Sequence, residues 1–147
     1  MEINLLKQKD ITIIINYESN LTLSFELEAY IKTILTITEF KKGLFEFTFI
    51  NDTKMIELNQ NYFNKNESTD IITFNLNSVD EPHSDIYICI DEAQRNATEF
   101  NKSFAEEIQL LIIHGILHIK GYEDYDDHSR SIMFKEQDRI LKEVANL

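Results

Sequence analysis

The sequence of 147 residues is poor in the residues that define several protein classes. Its single cysteine, Cys89, excludes an internal disulfide, a multi-thiolate metal site and a paired-cysteine redox motif. Three glycines and one proline exclude a collagen-like or linker-rich chain. No apolar run approaches the roughly 18 residues of a membrane-spanning helix, and the N-terminus lacks the basic-then-apolar layout of a signal peptide. We therefore expect a cytoplasmic protein without a membrane partner.

Positive charge is also scarce. Fourteen lysine and arginine residues stand against 26 aspartate and glutamate residues, which gives a formal net charge of −12. This balance disfavours nonspecific binding to nucleic acid, because a strongly negative protein repels a polyanion. It is compatible with a local site, since a phosphate within a Debye length of a bound dication responds mainly to that ion.

Apolar residues are abundant, at 43% of the chain, and include ten phenylalanines and six tyrosines. This content is enough for a sizeable core and excludes a disordered tail. No repeat or composition shift marks a linker, and the length suits one domain of ordinary size. We predict a single domain over residues 1–147.

Hydrophobic periodicity predicts a domain that contains both strands and helices. Alternating apolar residues indicate strands at 11–16, around Phe45 to Phe49, at 69–76 and at 84–90. Spacings of three and four indicate helices at 23–34, after an N-cap at Asp52, at 93–100, from a capping box of Ser103 and Glu106 to about Gly121, and at 127–145. Strands come early and helices late, so we predict an α+β fold with a mixed four-stranded sheet and about five helices.

Two histidines lie on the predicted central helix. His114 and His118 are four residues apart, so their side chains project from one face and can bind a single cation. Gly121 is predicted to end this helix, and a turn there can bring back a third ligand. A zinc ion with three protein ligands keeps one position for water and lowers the pKa of that water to roughly 7. The spacing indicates a zinc site on the central helix, and the zinc-bound water is the one catalytic group that the sequence assigns. The alternative is that both histidines are core residues whose ring nitrogens are hydrogen-bonded within the protein.

The residues around these histidines resemble the signature of the YbeY family, H-G-x-L-H-x-x-G-Y-x-H. The matching segment is HGILHIKGY at 114–122, and residues 58–62, 68–74 and 84–88 resemble three further blocks of the family. The family comprises bacterial zinc-dependent endoribonucleases that act in ribosomal RNA maturation and ribosome quality control. The resemblance implies a single-strand-specific, metal-dependent endoribonuclease that acts on the 3′ end of 16S rRNA. It also implies one Zn²⁺ per chain, the small ribosomal subunit as partner, and no DNA substrate.

The third histidine of the family pattern corresponds to Asp124. A carboxylate oxygen is an ordinary zinc ligand, so the resemblance implies the metal ligands His114, His118 and Asp124. Because this ligand is anionic, we expect a bound water that is less acidic than in a three-histidine relative. His128, four residues further along, is the rival third ligand, or else an exposed residue at the start of the last helix.

A second departure is Phe63, at a position where many family members carry arginine. A guanidinium can bind a substrate phosphate, and a phenyl ring cannot. We hypothesise that Arg95 or Lys65 takes over the phosphate contact, although each is also explained as a solvated surface charge.

Two carboxylates have competing explanations. Asp85 is either an acceptor for the ring N–H of a metal-bound histidine, or a strand residue that bonds a neighbouring loop. Asp70 is better explained as a buried turn-capping carboxylate than as a catalytic one.

Two other functions compete with hydrolysis of RNA. A zinc peptidase would need glutamate after the first histidine, where this sequence has Gly115. A non-catalytic, zinc-containing module that associates with RNA or the ribosome would have a closed site, and would be favoured if His128 supplied a fourth ligand.

Overall fold

A computed structural model describes residues 10–147. Residues 1–9 lie outside the described range. The first part of the predicted domain, and the N-terminal segment considered above for a signal peptide, fall within these residues. The four strands of the described chain are β1 (Ile11–Tyr17), β2 (Gly43–Ile50), β3 (Ile71–Asn75) and β4 (His83–Cys89). They form one sheet in the order β1-β2-β4-β3. The pairs β1–β2 and β2–β4 are parallel and β3–β4 is antiparallel, so the sheet is mixed and β3 is an edge strand.

The same residues form five helices. These are α1 (Leu27–Ile37), α2 (Asp52–Phe63), α3 (Ile90–Glu99), α4 (Phe104–Lys120) and α5 (Asp127–Ala145). The predicted α+β class, with a mixed four-stranded sheet and about five helices, is confirmed. In the described part of the chain, none of these helices is both long and apolar enough to cross a membrane.

Element boundaries differ from the predictions where side chains cap or pair differently. The predicted capping box of Ser103 and Glu106 is present at the start of α4. At α2 the cap is Asn51 rather than Asp52, because the Asn51 side chain accepts the N–H of Lys54. Helix α1 ends at Ile37, and β2 begins at Gly43.

The core lies on the face of the sheet that packs against α1, α4 and α5. Phe45, Phe47 and Phe49 are fully buried there, as their alternation in β2 predicts. Helix α4 is central, because it packs against α1, α3, α5, β3 and β4. A smaller cluster around Met55 and Ile72 fixes α2 on the opposite face.

Gly115 allows α4 to approach the sheet closely. A Cβ atom at this position would lie 3.0 Å from the Ile71 side chain on β3 and 3.2 Å from the Ile86 side chain on β4. Both contacts are tighter than ordinary van der Waals separation. The absent side chain therefore sets how near the flanking residue His114 lies to the edge strand.

Candidate metal centre

Three potential metal ligands converge where α4 ends. The Nε2 atoms of His114 and His118 are 3.0 Å apart. The Oδ2 atom of Asp124 lies 3.4 Å from each of them. The two histidine side chains are mostly buried, at 17% and 19% exposure, whereas the carboxylate is 43% exposed. The group is therefore anchored in the protein on one side and open to solvent on the other.

A left-handed helix cap brings Asp124 to the histidines. Gly121 has φ 114°, a conformation that L side chains rarely adopt, and its N–H donates to the carbonyls of Leu117 and His118. A Cβ at Gly121 would meet no atom within 4 Å, so the dihedral angle rather than space favours glycine here. Asp126 then caps α5 by accepting the N–H of Ser129, which keeps the connection short.

Hydrogen bonds at the far ring nitrogens fix the tautomers of both histidines. The Nδ1 atom of His114 lies 2.5 Å from Oε1 of Gln137. The Nδ1 atom of His118 lies 3.0 Å from the backbone carbonyl oxygen of Tyr122. Both partners are oxygen acceptors, so each Nδ1 carries the hydrogen and donates it. Each Nε2 then presents a lone pair toward the other and toward the Asp124 carboxylate.

This donor set fits a divalent transition metal. Bond lengths of about 2.0–2.1 Å at tetrahedral angles place neighbouring ligand atoms about 3.3 Å apart, close to the spacings observed here. Burial lowers the pKa of His114, which favours the neutral ring that a metal ion requires.

Sequence reasoning did not find Gln137. This side chain is only 6% exposed and lies on α5, between the buried residues Met133 and Ile140. The sequence feature that could have identified Gln137 is its spacing. It is a polar residue that lies four residues after Met133 and three before Ile140, on a helix face that is otherwise apolar. The apolar residues Ile132 and Phe134, which stand out in the sequence, are exposed instead.

A cleft of about 490 Å³ opens beside the three ligands, along the edge strand β3. Its walls come from α4, β3 and the segment that follows α2. The lining residues are Asn59, Phe63, Lys65, Glu67, Ser68, Thr69, Asp70, Ile71, Ile72, Thr73, His114, His118 and Asp124. A cleft of this volume is within the range of small-molecule binding sites.

Comparison with known proteins identifies the family. The sequence model described as "Endoribonuclease YbeY" matches residues 13–145. The chain belongs to the YbeY family.

Individual relatives agree with this family assignment. Endoribonuclease YbeY of Flavobacterium psychrophilum is 33% identical over 129 residues, which cover 86% of this chain and 92% of the relative. The protein of the same name from Flavobacterium johnsoniae is 31% identical over 128 residues, covering 86% and 92%. A solution structure of a Thermotoga maritima protein superposes with a TM-score of 0.67 at 30% identity, covering 91% of this chain and 88% of that one.

The structure places Asp124 and His128 differently. The carboxylate of Asp124 lies beside both histidines. His128 is exposed at the start of α5, and it does not belong to either group of clustered metal-binding side chains in the described chain.

The two candidate phosphate contacts are placed differently. Lys65 lines the cleft beside the histidines. Arg95 does not line it, and its guanidinium donates to Asp52 at 2.6 Å and to Glu92 at 2.8 Å. This placement favours Lys65 over Arg95 as a phosphate contact.

The two carboxylates singled out in the sequence, Asp85 and Asp70, also lie in different places. Asp85 lies on the face of β4 opposite Ile86, the residue that packs against α4, and it pairs across the sheet with Glu46. The Nδ1 atoms of His114 and His118 are bonded instead to Gln137 and to the Tyr122 carbonyl. Asp70 lines the cleft, where burial raises its pKa and Asn96 donates to it at 3.1 Å.

Proposed function

We propose that this chain is a metal-dependent endoribonuclease that cleaves single-stranded RNA. The observation that carries the proposal is the cluster of three potential metal ligands at the wall of an open cleft, in a chain of the YbeY family. The relatives reported above are named endoribonucleases, and such a group beside a substrate-sized cleft suits hydrolysis. We further propose that the substrate is the 3′ end of 16S rRNA on the small ribosomal subunit, in the cytoplasm.

In this proposal His114, His118 and Asp124 would hold one Zn²⁺. When bound, zinc supplies a Lewis acid that polarises a phosphodiester oxygen, activates water, or does both. Gln137 and the Tyr122 carbonyl hold the Nδ1 hydrogens, so both histidines keep their Nε2 lone pairs directed at the centre. Asp124 makes the centre one charge less positive than three imidazoles would, so we expect the pH optimum of cleavage to lie above that of a three-histidine relative.

Within this mechanism Lys65 binds a phosphate of the substrate. It is the one cationic side chain among the residues that line the cleft. A single contact of this kind is consistent with the net charge of −12, because positive potential is then confined to the metal centre and its rim.

The alternative function, a non-catalytic zinc-containing module that associates with RNA or the ribosome, needs a different centre. Closed structural zinc sites take four protein ligands. Three cluster here, and the fourth candidate, His128, is exposed elsewhere. The open position supports hydrolysis over a purely structural role.

Cleavage assays test the proposal on the full chain purified without a histidine tag. A single-stranded oligoribonucleotide is compared with a duplex of the same sequence, with zinc and after chelation. We expect cleavage of the single strand only, loss on chelation, and recovery when zinc returns. His114→Ala should lower the rate by on the order of 100-fold or more, because the metal is no longer held. His128→Ala is the matched control and should cleave normally.

The opposite pattern would refute the activity. RNA cleavage that persists at an equal rate in His114→Ala and after chelation would not come from this centre. For the ribosomal part of the proposal, precursor small subunits replace the oligonucleotide, and we expect trimming at the 3′ end of the precursor RNA. Equal cleavage of unrelated single strands and no preference for the precursor would contradict that part alone.

A further inference from the structure

The cleft has an exposed aromatic ring on its rim. Phe63 ends α2 and remains 48% exposed although it lines the cleft. Its ring is parallel to that of Phe74, with an interplanar angle of 4° and centroids 6.1 Å apart. Tyr62 packs against the same Phe74 ring at 5.0 Å, so the aromatic residues support one another. An exposed ring held in a fixed orientation beside a reactive centre is suited to stacking.

The charges that line the cleft favour binding of RNA through an uncharged contact. Among the lining residues, Lys65 stands against the carboxylates of Glu67, Asp70 and Asp124. Phosphate contacts therefore contribute little affinity, since each needs a cation to replace the counterions of the RNA. Stacking of a base on an aromatic ring does not depend on charge, and every base has a face that can stack.

We infer that Phe63 is the stacking platform for one unpaired base of the RNA that enters the cleft beside the candidate metal centre. A base within a duplex already stacks on its neighbours, whereas a base in a single strand is free to pack on a protein ring. The platform thus supplies affinity and preference for single strands. This inference rests on the proposed function for the identity of the ligand, and its test measures binding separately from cleavage.

The chain contains no tryptophan, so Phe63→Trp places a single fluorescent reporter at the platform. Tyr17→Trp is the matched control. Tyr17 is also exposed, at 58%, and its ring also stacks on another, that of Phe49, at 5.9 Å and 15°. It lies on β1 at the far edge of the sheet and does not line the cleft.

Each tryptophan variant is titrated with a single-stranded oligoribonucleotide and with its duplex, in zinc-loaded and in chelated form. We expect saturable quenching of Phe63→Trp by the single strand, weaker quenching by the duplex, and no quenching of Tyr17→Trp. Absence of saturable quenching of Phe63→Trp in both the zinc-loaded and the chelated form would overturn the inference.

Affinity measurements give a second readout. Phe63→Ala should weaken binding of the single strand by about 5- to 100-fold, whereas Phe63→Tyr and Tyr17→Ala should bind within about twofold of the unmodified chain. The salt dependence of binding should stay unchanged in Phe63→Ala, because no phosphate contact is lost, and should decrease in Lys65→Ala. Thermal unfolding of Phe63→Ala checks that it is folded.

The outcomes separate this inference from the proposed function. Unchanged affinity of folded Phe63→Ala, with cleavage still abolished by His114→Ala, would overturn the stacking platform and leave the nuclease standing. Quenching and the expected affinity loss in a chain that cleaves no RNA would support the platform and refute the nuclease.

Discussion

Two regions of this protein each bring three potential metal ligands together, and they differ in what those ligands already bind. One region contains His114, His118 and Asp124, at the end of α4. The other contains Asp52, Cys89 and Asp91, at the beginnings of α2 and α3. In both, the ligand atoms lie within 4.8 Å of one another. The number and spacing of ligands therefore do not distinguish the two regions.

Hydrogen bonds distinguish them. Oδ1 of Asp52 accepts from Arg95 at 2.6 Å, from Ser68 at 2.7 Å and from the Cys89 thiol at 3.4 Å. Oδ2 of Asp91 accepts the backbone N–H of Asp52 at 2.9 Å. Arg95 holds the pKa of Asp52 down to about 2, and burial raises the pKa of the Cys89 thiol. The carboxylates of this second cluster are already hydrogen-bonded to protein donors.

The histidine centre has the opposite arrangement. Its protein donors are directed away from the centre, from Nδ1 toward Gln137 and the Tyr122 carbonyl, and its acceptors point inward. Acceptors that converge in this way suit a cation, whereas Arg95 already donates to an acceptor of the second cluster. The comparison teaches that the direction of the hydrogens, more than the proximity of ligands, separates a metal centre from a structural network.

The largest expected effect comes from removing the third ligand. Asp124→Ala should weaken zinc binding by more than about 100-fold, since a lost ligand costs more than a lost supporting contact. His128→Ala should bind zinc as the unmodified chain does. Competition with a chromogenic chelator measures both affinities. Weakened binding in His128→Ala, with normal binding in Asp124→Ala, would mean that the ligand set is wrong.

Removing the acceptor behind His114 should have a smaller effect. Gln137→Leu takes away the oxygen that holds the Nδ1 hydrogen, and should lower zinc affinity about 10- to 100-fold. Gln137→Glu keeps an oxygen acceptor and should retain most of the affinity. The same chelator competition, together with thermal unfolding, measures these variants. If folded Gln137→Leu binds zinc normally, the histidine orientation does not depend on this contact.

The smallest effect concerns the second cluster. The folded-state pKa of Asp52, about 2, lies below its ordinary value of 3.8, so the ionised carboxylate stabilises the fold above pH 3.8 and loses this contribution as the pH falls toward 2. Asp52→Asn should reduce the free energy of unfolding at pH 7 by on the order of 1 kcal/mol. Urea unfolding across this pH range should show the difference from the unmodified chain shrinking below pH 3.8. A difference independent of pH, or any loss of zinc affinity, would contradict the structural role.

The parts of this account that the sequence predicts depend on local spacing. The capping box of Ser103, the four-residue interval of the histidines and the stop at Gly121 are all contained within one helix and its ends. The alternation of β2 likewise follows from neighbouring residues. Each of these patterns involves residues that are close together in the chain, so the amino-acid sequence is sufficient to predict it.

The parts that the sequence does not predict depend on packing between distant segments. Gln137 meets His114 across 23 residues, because α5 packs against α4 at one particular register. Arg95 meets Asp52 across 43 residues, and this pairing removes it from the cleft. Neither contact has a local pattern, since each is set by how whole elements pack in three dimensions.

The most direct test of the central claim is zinc content after dialysis, measured by mass spectrometry on the chain purified without a histidine tag. The unmodified chain, His118→Ala and Cys89→Ala are compared. We predict one zinc per chain in the unmodified protein and in Cys89→Ala, and none in His118→Ala. Zinc that is kept in His118→Ala and lost in Cys89→Ala would place the metal in the second cluster and contradict the account.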